Sequence, residues 1–403
     1  MTTPPLPPDT PVVLTEYDSA LIQLSTSQAR DLRRAARGAV TVQPDDIAGT
    51  WRITSTHYVG TITVPGARVL VTPKVEIDSL LYLLEASGEP VTTGTAEFRY
   101  GTTQDLVPAF ATFYARHLER ALARGVPRAY HETQARLPGI RGRADIPAQL
   151  RLAGLPLPAE CRFDDYTADT QLARVLCGAA LRLLRLPGVT VATRQALQRL
   201  TATLAEAGPC MPQDIRAPTR FTRLNEHCHS ADHLARMVLG GQTLRCAPGT
   251  AGAAVFLIDM NTAFEAFVAA RLTRYLTGKV TVLPQDTRPF GHSGSARIRP
   301  DMIFESPPGK AVYVADTKYK ITADGYARDN DYYQILAYTR ALDVPGGMLI
   351  YCQRDGGAPP TAITVGAHHT RLDTSALTLS GTPADIERRL AELANLIGEK
   401  TGS

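Results

Sequence analysis

The stretch Arg299-Pro-Asp-Met-Ile-Phe-Glu-Ser-Pro-Pro-Gly-Lys-Ala-Val-Tyr-Val-Ala-Asp-Thr-Lys318 reads as two extended runs folded about a turn. Residues 299–305 and 311–315 carry the β-branched and aromatic side chains of strands, and Ser306-Pro-Pro-Gly-Lys310 is a hairpin-like turn between them. Antiparallel pairing follows. The start of the first run then lies beside the end of the second, so Asp301 and Asp316 converge at one edge of a sheet. Two carboxylates brought together repel unless a cation neutralises them. Oxygen-only ligation favours Mg²⁺, or Mn²⁺, over zinc. Lys318 lies two positions beyond Asp316 and shares its face of the strand. An ammonium there suits holding a water against the metal and opposing the charge of a phosphate, which is metal-assisted hydrolysis of a phosphodiester.

Working outward, a helix is expected over residues 260–276, where Glu265 sits four after Asn261 and becomes a candidate third acidic metal ligand. A second, amphipathic helix over 330–341 gives Gln334 and Tyr338 the same spacing, suited to positioning Lys318 or touching a DNA backbone. With strands at 280–283 and 347–351, the order predicts an α/β domain with a mixed central sheet flanked by helices, over 251–403. A Gly/Pro/Ala-rich stretch at 247–254 marks the expected boundary before it. Residues 166–250 read as a helical connecting region, with helices at 170–186, 192–207 and 231–239. Residues 1–165 read as β-rich, with two strand-like runs around Pro65-Gly66, a short basic helix at 28–37, and further helices at 80–86 and 105–123. The fold class is therefore α/β, or α+β when the whole chain is counted.

The 403 residues exceed one ordinary core. An apolar fraction of 44% and a charged fraction of 20% describe a soluble globular protein. A formal charge of +4 is small for this length, so nucleic-acid binding must rest on a local basic groove rather than on total charge. The six cysteines form no C-x-x-C pair, which points to reduced thiols in a cytoplasmic setting. The first ten residues are Pro-rich and expected to be disordered, with neither the basic nor the apolar region of a secretory signal. The apolar run 253–270 is broken by Asp259, Asn261 and Glu265, against a membrane span.

Taken together, Arg299-Pro-Asp301, Asp316-Thr-Lys-Tyr-Lys320, Asp331-Tyr-Tyr-Gln-Ile-Leu-Ala-Tyr338 and Asn261-Thr-Ala-Phe-Glu265 resemble the McrC family, the nuclease subunits of McrBC modification-dependent restriction systems. Weaker upstream matches are Val59-Gly-Thr-Ile with Pro73-Lys74-Val, Arg141-Gly-Arg143, and Asp169-Thr-Gln-Leu-Ala-Arg-Val-Leu176. The resemblance implies a PD-(D/E)XK endonuclease fold, its acids at Asp301 and Asp316 and its lysine at Lys318. It also implies a partner, an McrB-like AAA+ ring that hydrolyses GTP and recognises 5-methylcytosine-containing double-stranded DNA, with the N-terminal portion of this chain docking on that ring and stimulating it. GTP would be used by the partner, since Gly240-Gly241 and Gly346-Gly347 here lack the Lys-Ser/Thr of a phosphate loop. Two nuclease domains meeting on DNA is a natural route to double-strand cleavage.

Two other functions compete: a non-catalytic adaptor that activates the ring, and a stand-alone repair nuclease. An adaptor has no need of an acid pair beside a lysine, and a stand-alone nuclease has no need of the long N-terminal region. His227, Cys228, His229, His233 and Cys246 invite a zinc reading; their spacing fits no standard finger, and polar loop and helix positions account for them. Arg30–Arg37 and Arg141–Arg143 suit contact with DNA phosphates or an acidic partner surface, but solvated helix faces and turns account for them better. Trp51, the sole tryptophan, is expected to pack.

Overall fold

The computed structural model describes residues 11–88, 105–151, 157–241, 244–248, 253–290, 296–319, 329–353, 361–366 and 369–402. The fold is mixed α and β, with several mixed or antiparallel sheets. Its contacts divide it into two compact units. One comprises Met1–Phe110, Leu186–Gly188 and Gly241–Ser403; the other comprises Ala111–Arg185 and Val189–Gly240. These units do not follow the linear order of the three expected segments, because the first and last thirds of the chain fall together. The expectations for residues 1–10 and for residues 249–252 of the 247–254 stretch lie outside the described residues.

In the first unit, the expected hairpin around Pro65-Gly66 is present. Tyr58–Val64 pairs antiparallel with Ala67–Thr72, closing at Val64 and Ala67 with Gly66 at φ +73°. Val12–Thr15 adds in parallel on one side, and on the other lies Ala254–Asp259, drawn from far along the chain and itself paired with Leu244–Pro248. This five-stranded sheet explains Gly60. At φ +130°, its missing Cβ leaves room for the Phe256 carbonyl oxygen, which would sit 2.1 Å from a side-chain carbon there. Ile62, Val64, Val69, Val71 and Leu257 fill the core beneath the sheet with Leu32 from the helix Thr26–Ala36. That helix starts in a capping box, Ser25 with Gln28, which satisfies two otherwise orphaned N–H groups. Trp51 packs against this core, its indole N–H donating to the Leu24 carbonyl at 3.0 Å.

The second sheet is six-stranded and mixed, ordered Thr281–Pro284, Met302–Glu305, Ala311–Lys318, Gly346–Gln353, Thr370–Thr378, Thr361–Val365. Its first two pairings and its last are antiparallel, and the two central ones parallel. The helix Asp329–Leu342 lies on the crossover between Ala311–Lys318 and Gly346–Gln353 and packs through Ile335 against Val314 and Leu349. It can lie this close because residue 347 is glycine: a Cβ would come within 3.1 Å of Ile335, Val314 and Thr339. The helix Pro383–Thr401 is tied to Met260–Tyr275 through Glu387, which faces Arg271 at 3.2 Å and accepts from the Tyr275 hydroxyl at 2.5 Å.

The second unit is helical, with Gln171–Leu184, Val191–Thr203 and His229–Gly240 at its centre, close to the expected helices. Each of the first two starts at a threonine whose hydroxyl accepts from the third helical N–H. A three-stranded antiparallel sheet of Ala129–Leu137, Ala159–Thr167 and Arg143–Ala144 accompanies them. On the helix Leu106–Leu122 the expected apolar face is buried, while Arg116, expected on the wet face, is half-buried.

Candidate active site

The hairpin forms as its sequence predicts. Met302 pairs with Ala315 and Ile303 with Val314, which leaves Asp301, just ahead of the first strand, level with Asp316 and Thr317. Gly309 turns the connection at φ +91° and donates its N–H to Glu305 Oε2 at 2.6 Å. Asp301 Oδ2 accepts two hydrogen bonds from Thr317, from its N–H and its hydroxyl, each at 2.6 Å. Those bonds fix the carboxylate across the strand pair, a role for Thr317 that the motif alone did not expose.

Asp316 is buried and forms an ion pair with Lys318. Apart from that pair, its Oδ2 has no hydrogen bond among the described residues. The Lys318 ammonium also donates to Gln334 Oε1 at 2.8 Å, and Gln334 Nε2 donates to the Tyr338 hydroxyl at 2.7 Å. The i, i+4 pair expected on this helix therefore braces the lysine. Glu265 lines the same cavity, with its carboxylate bonded to Gln285 and Gln285 in turn to Arg299. Gln285 sits at φ +50° in a connection without periodic pattern, so no sequence signal singled it out. The helix carrying Glu265 is capped by Asp259, which accepts from Thr262 N–H at 3.1 Å and faces His57 at 3.6 Å.

The cavity measures about 350 Å³ and brings together Asn261, Glu265, Asp301, Asp316, Lys318 and Gln334. All five expected site residues, Glu265, Asp301, Asp316, Lys318 and Gln334, line it. Its electrostatics are those of crowded acids. Burial, then Asp301, pushes the Glu265 carboxyl up to about 7, with Gln285 working against the rise. Burial, then Asp301, pushes Asp316 up to about 6 despite the Lys318 ammonium. Asp301 is raised by burial, with Thr317 and Lys318 opposing. Burial disfavours the charged form of Lys318, yet Asp316 and then Asp301 outweigh it and leave the lysine above its usual value. Three carboxyls whose hold on a proton burial strengthens, two of them further under the Asp301 charge, are what a bound cation would relieve. The donor set is all oxygen and includes the buried Asp316 Oδ2, which fits Mg²⁺ rather than a softer metal. Among the described residues, no three His, Cys, Asp or Glu side chains already close on one point. The zinc reading of residues 227–246 meets the same finding. Cys228 is buried with its Sγ 3.9 Å from the Ala121 carbonyl, His229 packs on Phe221, and the Cys246 side chain lies outside the described residues.

A family model described as "McrBC 5-methylcytosine restriction system component" matches residues 53–352, well over half of the chain. The chain belongs to this McrBC family. The resemblance read from the hairpin and its flanking helices is thereby borne out. Among solved structures, a chain from an assembly of Thermococcus gammatolerans McrB AAA+ hexamers with bound McrC matches with TM-score 0.58 and 18% identity, covering 96% of this chain and 100% of that one. A chain from the Thermococcus gammatolerans McrBC complex matches at TM-score 0.45 and 20% identity, covering 66% of this chain and 88% of that one. No curated protein matches. The McrBC-family likeness to the first structure supports the mixed α and β fold described above. Among the described residues, no helix is long and apolar enough to cross a membrane.

Proposed function

We propose that this chain is the DNA-cleaving subunit of an McrBC-type, modification-dependent restriction system. The observation that carries the reading is the meeting of Asp301 and Asp316 beside a lysine that Gln334 and Tyr338 hold in place. Asp301 and Asp316 would hold Mg²⁺, with Glu265, whose carboxylate is bonded to Gln285, as the candidate third acidic ligand. When bound, the ion supplies positive charge to the scissile phosphate and lowers the pKa of a coordinated water. Thr317 fixes the Asp301 carboxylate, so one acid keeps its orientation while DNA enters and leaves. Lys318 presents its ammonium toward the cavity, where it orients a water and opposes charge building on the phosphate oxygens. Gln334 restrains that ammonium and reduces the entropy lost as the reacting groups align.

Family membership supports the partner: an McrB-like AAA+ ring that hydrolyses GTP and presents methylated double-stranded DNA. The choice of target then lies with the ring and the cutting with this chain.

The test incubates the protein, and separately its Asp316→Ala variant, with 5-methylcytosine-containing plasmid, Mg²⁺ and GTP, with and without a cognate ring. The expected result is cleavage only with the ring and a loss of roughly a hundredfold or more in the variant. GTPase stimulation by the variant should remain intact. Full cutting by Asp316→Ala would sink the catalytic assignment, and equal cutting without the ring would remove the partner from the mechanism.

A further inference from the structure

The cavity at Asp301 and Asp316 has one wall that comes neither from the six-stranded sheet nor from the helices that carry Glu265 and Gln334. Tyr17, from the turn after the first strand Val12–Thr15, lines it together with Asp316, Lys318 and Tyr319. That tyrosine sits where glycine is the favoured residue. Asp18 N–H closes the turn onto the Thr15 carbonyl at 3.1 Å, which makes Tyr17 the third turn residue, and its φ is +60°. A bulky side chain at positive φ is strained, so the conformation persists only where its surroundings over-determine it.

The surroundings do so. Ser55 clamps the turn, its hydroxyl donating to the Thr15 carbonyl at 2.6 Å while its own N–H donates to the Asp18 carbonyl at 2.9 Å. Beneath, Glu16 is buried and accepts from Lys74 N–H and from the Tyr319 hydroxyl, both at 3.0 Å. Tyr319 is the residue after Lys318, so the turn is anchored to the end of the catalytic strand. Above, the Tyr17 side chain is 52% exposed, and Lys74 Nζ lies 5.3 Å from its ring centroid.

We infer that Tyr17 and Lys74 form a substrate platform beside the cleavage site, the ring stacking on a nucleotide of the bound DNA and the ammonium contacting a phosphate. A rigid aromatic face with a neighbouring cation is how proteins hold nucleotides without reading sequence. It suits a subunit whose target is chosen elsewhere. The inference rests on the nuclease reading and extends it, because it makes the N-terminal turn part of the substrate site as well as of the scaffold.

The experiment measures binding of a fluorescein-labelled DNA duplex by the full chain in an Asp316→Asn background, with fluorescence anisotropy across a salt series. Tyr17→Gly removes the ring but suits the backbone, so it should unfold at the parent temperature or above while binding about tenfold more weakly. Tyr17→Phe should bind within twofold of the parent. Lys74→Met should lower the slope of log affinity against log salt by about one, and Tyr17→Gly should leave that slope unchanged. Parent-like affinity in Tyr17→Gly would overturn the platform alone. No detectable DNA binding by the parent would overturn the platform, while the nuclease reading, in which the AAA+ ring presents the DNA, stands or falls by the cleavage test. DNA binding that weakens in Tyr17→Gly as expected, in a protein whose Asp316 proves dispensable for cutting, would uphold the platform and overturn only the catalytic assignment.

Discussion

Glu16 is a buried acid with one oxygen engaged and the other, Oε2, without a hydrogen bond among the described residues. Burial pushes its carboxyl up to about 7, and the Lys74 N–H and Tyr319 hydroxyl offset only part of that. The folded state therefore holds the proton more tightly than the unfolded chain, whose carboxyl titrates near 4.5. The favourable contribution is complete below pH 4.5, declines as pH rises toward 7, and is gone above it. Glu16→Gln keeps an acceptor for both donors and carries no charge. It should exceed the parent in stability at pH 8 by on the order of 3 kcal/mol and approach it below pH 4.5. Denaturant unfolding of both proteins across that range checks this, and a pH-independent difference would contradict it. Asp301, Asp316, Lys318 and the Gln334 brace were legible in the sequence because strand and helix periodicities place them. Glu16 and Tyr17 were not. They lie some three hundred residues before Tyr319, and nothing local in Glu16-Tyr17-Asp18 indicates what the turn will face.

At the scale of elements, the site depends on how closely the helix Asp329–Leu342 approaches its sheet. Gly347 sets that distance, since a methyl group there would press on Ile335 and Thr339 of the helix and on Val314 of the neighbouring strand. Gly347→Ala should cost about 1–3 kcal/mol of stability through overpacking. The helix also carries Gln334, so on the proposed nuclease reading cleavage should fall further than a matched loss of stability elsewhere would cause. Denaturation and cleavage rates measured on the same preparation test this, and unchanged activity alongside lost stability would show that the Lys318 brace tolerates a displaced helix. The helix itself was readable from its spacing. The close approach was not: residue 347 was expected in a strand, which runs Gly346–Gln353, but nothing in Gly346-Gly347 says that a helix packs directly over it.

For the whole molecule, the strand Ala254–Asp259 decides how the chain can be divided. It is an interior strand of the sheet built from Val12–Thr15, Tyr58–Val64 and Ala67–Thr72, and it runs directly into the helix that carries Glu265. Composition at 247–254 reads as a linker, and no periodicity announces that the next strand belongs with the N-terminus. A fragment of residues 251–403 keeps the six-stranded sheet but strips Ala254–Asp259 of both its neighbours. It should lack cooperative unfolding, and adding residues 1–110 in trans should restore at least part of it. Calorimetry on the fragment, alone and mixed, tests the point; a cooperative transition in the lone fragment would refute it. The pairing of Thr61 with Phe256 also bears on biosynthesis. Residues about two hundred apart must meet before the helix bearing Glu265 gains its N-terminal support, which is a contact of high order that forms slowly. A ribosome would have to deliver almost the entire polypeptide before the proposed cutting centre could assemble, so on that reading nascent and truncated chains should be inert toward the cell's own DNA.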